Sequence, residues 1–221
     1  MCGRFAFFSL TPELADMFFE ADFCADFKPR YNIAPTQPAW VIRNFKQRQF
    51  ELLRWGLIPA WAKEAKIGNR MINARAETLA EKPSFKNAYK YRRCLVPADG
   101  FYEWKQSGKI KTPHFIGMKS KKPLAFAGLW ETWQPPGKEQ IDSFTIVTTE
   151  PNDLLSNIHN RMPVILAPET YAAWLDPDPA DPAVLQKLLL PLAGDQLEAY
   201  PVSKAINSPS NDNPDMIRPE A

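Results

Sequence analysis

The chain has 221 residues, of which 45% are apolar or aromatic and 24% are charged, as in an ordinary globular protein. No apolar run reaches the roughly 18 residues that a membrane-spanning helix needs, which argues against a membrane protein. Three widely spaced cysteines argue against a disulfide framework and favour a reducing, cytoplasmic setting; with two isolated histidines, we expect no metal site.

Charge is divided unevenly along the chain. Residues 1–125 hold 22 of the 27 Lys and Arg and 11 of the 25 Asp and Glu, a balance of +11, whereas residues 126–221 carry a balance of −9. Such polarity is typical of a basic surface that meets a polyanion such as nucleic acid. The alternative is that the two halves interleave in space and neutralise each other.

The first predicted elements are a short helix and a series of strands. Thr11 and Pro12 provide a cap and a first-turn proline for an amphipathic helix that extends to about Cys24. Two alternating apolar runs, 39–45 and 49–55, predict a hairpin. Further strands are predicted at 94–98, 101–105, 114–118, 124–130 and 143–149.

Helices return late in the chain. One is predicted over 169–175, and Asp181-Pro182 begins another whose apolar face is Val184, Leu185, Leu188 and Leu189. The residues after about 206 are rich in Asn, Pro, Ser and Asp, which predicts a loop-like or frayed polar tail over 207–221. Together the pattern predicts an α+β fold: a single domain over 1–206 with a mostly antiparallel, barrel-like β core and short flanking helices.

The chain opens Met1-Cys2-Gly3-Arg4-Phe5. Initiator methionine is normally removed before a side chain as small as that of cysteine, so we expect Cys2 to carry the free α-amine of the mature chain. An α-amine with a pKa of about 7.7–8.0 and a thiol with a pKa of about 8.5 would then lie on adjacent carbons. This pair can trap an aldehyde as a Schiff base that the thiol closes to a thiazolidine. The alternative is a small residue that only packs.

Three polar residues between 71 and 78 alternate with apolar ones. In an extended chain Asn73, Arg75 and Glu77 share one face, opposite alanines. Asn73 could orient a nucleophile or hold a substrate oxygen, and Arg75 could clamp a phosphate bidentately. The polar outer face of a strand explains the same pattern equally well.

Two titratable residues stand in unusual surroundings. Glu103 has aromatic residues at 101, 102 and 104, so partial burial would raise its pKa and make it an acid–base group near neutrality. His159 lies two residues before Arg161, a combination that suits proton donation beside a phosphate. The alternatives are a solvated glutamate at a strand end and a structural histidine.

Two tryptophans precede basic residues. Trp55 and Trp61 are followed by Lys63 and Lys66, and aromatics beside basic residues can stack bases and hold a backbone, as in single-strand binders. A core tryptophan followed by a solvated charged loop is an equally good interpretation.

Taken together, these segments resemble the SOS response-associated peptidase (SRAP) family, also called abasic site processing proteins. The matching segments, in family order, are MCGRF at 1–5, YNIAPTQ at 31–37, WGLIPAW at 55–61, INARAET at 72–78, GFYEWK at 100–105 and IHNRMP at 158–163. The resemblance implies a cofactor-free, monomeric sensor of abasic sites in single-stranded DNA. It would bond to the ring-opened sugar through its N-terminal cysteine and shield the lesion. The family name also implies peptidase chemistry, mainly self-release of the N-terminal segment.

The resemblance also implies roles for individual residues. Cys2 would be the nucleophile, Asn73 would position the reacting groups, and Glu103 would serve ring opening and proton transfer. His159 would lie by the lesion hydroxyl and phosphate. Contacts to DNA are implied for Arg4, Asn32, Pro35, Arg75 and Arg161.

Two other functions stay open. N-terminal-nucleophile glutamine amidotransferases also begin Met-Cys-Gly, but they need an oxyanion-hole Asn-Gly pair, and this chain contains no such dipeptide. A non-catalytic single-strand DNA binder would rely on stacking and charge alone, so it would not need the thiol of Cys2.

Overall fold

The computed structural model describes residues 2–9, 26–46, 48–137, 139–179 and 181–220. The helix predicted between 11 and 24 lies outside these residues. Among the described residues, no helix combines the length and apolarity needed to cross a bilayer.

Strands dominate the described chain. They are β1 (Phe5–Phe7), β2 (Arg30–Ile33), β3 (Pro38–Arg43), β4 (Phe50–Trp55), β5 (Asn73–Arg75), β6 (Arg93–Ala98), β7 (Gly100–Ser107), β8 (Ile110–Met118), β9 (Leu124–Trp133), β10 (Ile141–Thr149), β11 (Met162–Pro163), β12 (Ile165–Leu166) and β13 (Leu197–Pro201). The α-helices are α1 (Lys86–Tyr91), α2 (Asp153–Ser156), α3 (Tyr171–Trp174) and α4 (Pro182–Gln186). Short 3-10 turns cover Ala65–Arg70, Ala76–Thr78, Pro168–Thr170, Gly194–Gln196, Lys204–Asn207 and Pro214–Ile217.

A closed barrel forms the centre of the fold. Its strands run in the order β10-β4-β3-β6-β9 and return to β10, which pairs with both β4 and β9. All these pairings are antiparallel except β4 with β10, which is parallel, and β5 adds a second parallel partner along β10. The predicted α+β fold with a barrel-like, mostly antiparallel core is therefore confirmed.

A second sheet of five strands, in the order β13-β8-β7-β1-β2, lies beside the barrel. Its longest pairing is the β7–β8 hairpin, which runs from Gly100 opposite Gly117 to Ser107 opposite Ile110. A side chain at Gly100 would meet the Phe115 ring, so only glycine fits there. Strand β1 lies between β7 and β2, and this order places the residues just before β1 next to β7.

The strand predictions are confirmed. Antiparallel β3 and β4 are the predicted hairpin, and β6 to β10 contain the five further strands predicted between residues 94 and 149. Alternating or continuous apolar runs located these strands because each has at least one face in the core.

The late helices exist but are shorter than predicted. The segment 169–175 forms a 3-10 turn followed by α3, and the Asp181 carboxylate caps α4 by accepting from the Ala183 N–H at 2.8 Å. Helix α4 ends at Gln186, and i→i+3 turns continue the chain to Leu189. Of the predicted apolar face, Leu185 and Leu189 are buried and Leu188 is half-buried, but Val184 is 57% exposed.

This difference gives a direct test of the packing. Leu185→Ala should lower the free energy of unfolding by about 2–5 kcal/mol, because it leaves a cavity in the core. Val184→Ala, one residue away in the same helix, should change it by less than about 0.5 kcal/mol, because the side chain already meets water. Urea unfolding of both variants measures this, and equal losses would contradict the burial of α4.

Candidate active site

An acid–base pair lies where β7 meets the loop after α2. Glu103 comes from β7 and is only 3% exposed, and its Oε2 lies 3.9 Å from Nε2 of His159. Burial raises the pKa of Glu103 to about 7, so both protonation states are populated at neutral pH.

The backbone fixes the orientation of the His159 ring. The Arg161 N–H donates to Nδ1 of His159 at 3.1 Å. Nδ1 also lies 3.2 Å from the Arg161 carbonyl oxygen, so the proton of the neutral ring can lie on Nδ1, donating to that carbonyl, or on Nε2, the atom that faces Glu103. Burial lowers the pKa of His159, which favours this neutral form. The pair therefore has a proton available between carboxylate and imidazole.

Cys2 lies against this pair. Its side chain is fully buried, Sγ lies 3.8 Å from the Arg4 carbonyl oxygen, and Asn73 Nδ2 donates to the Cys2 carbonyl at 2.8 Å. Burial raises the pKa of the Cys2 thiol, and the negative charge of Glu103 raises it further, so the thiol is protonated at neutral pH. The predicted set of Cys2, Asn73, Glu103 and His159 is thus brought together in one place.

Three buried polar atoms around this set accept or donate no hydrogen bond within the described chain. They are Oδ1 of Asn73, Oγ1 of Thr148 and Nε of Arg161. Thr148 lies on β10 directly opposite Arg75 of β5. Such buried, unsatisfied groups are rare unless a ligand or water completes them. Sequence analysis missed Thr148, because a threonine in an apolar strand carries no signal of its own.

Two of the three arginines predicted to bind phosphates, Arg75 and Arg161, differ in their surroundings. Arg75 is exposed, whereas Arg161 forms a bidentate pair with Glu77 at 2.6 and 3.0 Å and also donates to the Thr148 carbonyl at 2.7 Å. The Arg161 guanidinium lowers the pKa of Glu77, which stays ionised. Glu77, noted in the sequence only as a neighbour of Arg75, therefore holds Arg161 in position.

Arg4 and Asn32 hold the C-terminal segment. Nη1 of Arg4 donates to Asn32 Oδ1 at 2.7 Å and to the Ile206 carbonyl at 2.6 Å. Nδ2 of the fully buried Asn32 donates to the carbonyls of Ile206, Ser208 and Asn211. The segment after residue 206, which was predicted to be loop-like or frayed, includes the 3-10 turn Pro214–Ile217, and these bonds fix it to the second sheet. Much of the hydrogen-bonding capacity of both predicted DNA contacts is therefore used within the protein.

The remaining predicted DNA contacts are Trp55, Trp61 and Pro35. Trp55 is fully buried, packs against Phe5 and Phe144 and donates from Nε1 to the Ile72 carbonyl, so it cannot stack on a base and is a core residue. Trp61 is 60% exposed beside a surface depression lined by Lys63, Lys66 and Arg70. Pro35 is half-buried in the turn before Thr36.

A polar cleft of about 370 Å³ opens from the acid–base pair toward β8 and is lined by Glu103, Trp104, Gln106, Lys111 and His159. No group of three or more His, Cys, Asp or Glu within the described ranges is arranged to hold a metal ion.

The fold is thus a small mixed barrel with a second sheet beside it, and a cysteine, an amide and an acid–base pair lie together next to strand β1 of that sheet. The family model described as SOS response associated peptidase (SRAP) matches residues 1–209, and the chain belongs to this family.

Curated relatives and solved structures agree with this assignment. The abasic site processing protein YoqW of Bacillus subtilis (strain 168) is 48% identical, over 98% of this chain and 99% of its own length. The abasic site processing protein HMCES of Gallus gallus is 33% identical, over 87% of this chain and 67% of its own length. A crystal structure of a Bacteroides thetaiotaomicron protein, 26% identical, superposes with a TM-score of 0.88 over 100% of both chains.

The raised pKa of Glu103 predicts a pH-dependent stability. Since the folded-state pKa is about 7, the folded chain retains a proton that the unfolded chain releases at a pKa of about 4.3. The folded state is therefore penalised progressively as pH rises through this window. Glu103→Gln, which cannot ionise, should gain about 2–3 kcal/mol of unfolding free energy over the parent between pH 5 and pH 8.

Urea unfolding of parent and variant at both pH values measures this difference. Glu77→Gln serves as the control, because the pKa of Glu77 is lowered and its contribution is lost only as pH falls below that window. A Glu103→Gln effect that is the same at both pH values would show that burial does not raise this pKa.

Proposed function

We propose that this protein recognises abasic sites in single-stranded DNA and bonds to them through Cys2, once removal of Met1 has freed its α-amine. The names of the curated relatives, abasic site processing proteins, support the lesion as the target. The observation that carries the proposal is the contact set of Cys2: its carbonyl is held by Asn73, and Glu103 is close enough to raise the pKa of its thiol.

Because the thiol is protonated, we expect the α-amine to react first and the thiol second. The α-amine adds to the C1′ aldehyde of the opened sugar, and loss of one water gives a Schiff base. The thiol then adds to the imine carbon: a C–S bond forms, the thiol proton leaves sulfur, and the imine nitrogen gains a proton to become the thiazolidine amine. A buried neutral thiol cannot compete with the amine for the aldehyde, but it can close the ring once a base accepts its proton.

Glu103 and His159 are suited to the proton transfers. With a pKa of about 7, Glu103 can donate a proton to the departing hydroxyl of the carbinolamine and later accept one from the thiol. Nε2 of His159 faces Glu103 and, when it carries a proton, can protonate the ring oxygen or bind the lesion phosphate. The unsatisfied Oδ1 of Asn73 can accept from the lesion hydroxyl or the amine.

Binding of the strand would use the basic N-terminal half. Arg75 is exposed beside the site, and Trp61 stands with Lys63, Lys66 and Arg70 on the surface, so a backbone and a stacked base could both be held. No cofactor is required by this chemistry, and we propose that the protein acts as a monomer.

Two rivals share parts of this site. An N-terminal-nucleophile amidohydrolase, or the peptidase of the family description, would use the same cysteine on an amide. A non-catalytic single-strand binder would not use it. Release of ammonia from glutamine, cleavage of the bond after Met1, and adduct formation with abasic DNA are three assays that separate these functions.

We predict a heat-stable adduct with abasic single-stranded DNA that requires Cys2 at the mature N-terminus. Cys2→Ser should give a labile adduct, because its hydroxyl closes the ring poorly, and Cys2→Ala should give none that survives denaturation. A denaturing gel after incubation measures this, with undamaged DNA as the control. An equally stable adduct from Cys2→Ala, or from protein that retains Met1, would overturn the thiazolidine.

We also predict that the acid–base pair sets the rate of crosslinking and not the affinity for DNA. Glu103→Gln and His159→Ala should each slow single-turnover crosslinking by about 10²–10⁴-fold, the usual value of a positioned acid or base. Equilibrium binding to undamaged single strands should stay near the parental value. Crosslinking by Glu103→Gln at the parental rate would reduce Glu103 to a structural residue.

A further inference from the structure

The end of the β7–β8 hairpin is basic, exposed and next to the candidate site. Every residue from 105 to 111 is exposed, and three of them are lysines: Lys105, Lys109 and Lys111. The sequence has no acidic residue between Glu103 and Glu131. None of the ion pairs among the described residues involves these three lysines. Their charge is therefore not neutralised by the part of the chain that the structure describes.

The polar cleft connects this hairpin end to the acid–base pair. Lys111 lies in its wall with Glu103 and His159, and Gln106, directly opposite Lys111 in the hairpin register, lines it as well. Gln106 is neutral, and its side chain donates to the Gly108 carbonyl at 3.2 Å. Lys111 is therefore the lysine that brings positive charge to the lining of the cleft. A ligand that leaves the acid–base pair along this cleft therefore meets positive charge.

We propose that Lys105, Lys109 and Lys111 bind the phosphodiester backbone of the nucleotides that flank the lesion on one side. The proposal rests on the proposed function, since it places the lesion at Cys2. Ser107 lies four residues after Glu103 along β7, about 13 Å at 3.3 Å per residue, so the hairpin end reaches past the lesion nucleotide. Flexible lysines suit this task, because they contact phosphates as point charges without reading the base.

The other end of the same strand offers a matched control. Lys119, Lys121 and Lys122 follow β8 at its far end, about 26 Å from Ile110, and they are also exposed. Lys121 is paired with Glu198 there. Removing two lysines at either end lowers the net charge of the protein by the same amount. An effect of net charge alone would therefore weaken DNA binding equally in both variants, whereas loss of a direct phosphate contact would weaken it only in the hairpin-end variant.

The test compares Lys109→Gln/Lys111→Gln with Lys119→Gln/Lys122→Gln. Both pairs are made in the Cys2→Ala background, so that equilibrium binding is measured without the adduct. The probes are a single strand with a central abasic site and two shorter strands that end just beyond the site on the 5′ or the 3′ side. Affinity is measured over a range of salt concentrations.

We expect the hairpin-end pair to weaken binding of the central-lesion strand and to reduce its salt slope by about 1.4, which is about 0.7 for each phosphate that a lysine no longer neutralises. The variant with both hairpin-end substitutions should bind one of the two shorter strands as tightly as the background protein does. The side on which that strand is truncated is the side that the hairpin contacts. The far-end pair should leave the slope unchanged.

Equal changes from both pairs, or no change from the hairpin-end pair, would overturn the proposal. Crosslinking of abasic strands by protein with Cys2 intact is measured in parallel. If crosslinking occurs without a hairpin effect, only the hairpin contact fails. If the hairpin effect occurs without crosslinking, the covalent function fails and the hairpin remains a backbone contact.

Discussion

The position of strand β1 is the constraint on which the site depends. Phe5 is fully buried, with its ring edge-on to Trp55 at 5.2 Å and to Phe126 at 6.0 Å, so the second sheet is anchored in the barrel core through this residue. The Tyr102 N–H donates to the Arg4 carbonyl at 3.0 Å, which ties β1 to the strand that carries Glu103. Cys2, three residues before Phe5, therefore has little freedom relative to the acid–base pair. Core packing therefore positions the residue that the proposed function uses as its nucleophile.

The same packing sets the acid–base properties of the site. Removing Glu103 from water disfavours its charge, and the protein retains this unfavourable group in a region where an apolar residue would be more stable. Cys2 is likewise kept protonated by burial. Functional sites commonly contain groups whose burial lowers the stability of the folded state but which the chemistry requires. The backbone of Arg161 orients the His159 ring at no such cost, because its N–H and its carbonyl need partners in any case.

Local pattern predicted the strands and the four central site residues, but not the long-range contacts. Alternating apolar residues locate β3 to β10 because burial on one face leaves a period of two. The parallel pairing of β4 with β10 produces no pattern in the sequence from which it could be predicted. Trp55 was predicted to contact DNA because an aromatic residue before lysines has the same sequence pattern in a core as on a surface. The bonds from Arg4 and Asn32 to residues near 206 join positions about 170–200 apart, and no periodicity encodes them.

The charge asymmetry of the sequence is partly compensated in space. Basic residues of the first 125 pair with acidic residues of the later part at several places: Arg30 with Asp212, Arg43 with Asp142, Arg92 with Glu131 and Lys121 with Glu198. The interleaving that the sequence left open as an alternative therefore accounts for part of the imbalance. The lysines beside Trp61 and those at the hairpin end have no ion-pair partner in the described chain. Attraction of a polyanion depends on such local excess rather than on the net charge of a half-chain, because salt screens exposed charges beyond about 8–10 Å.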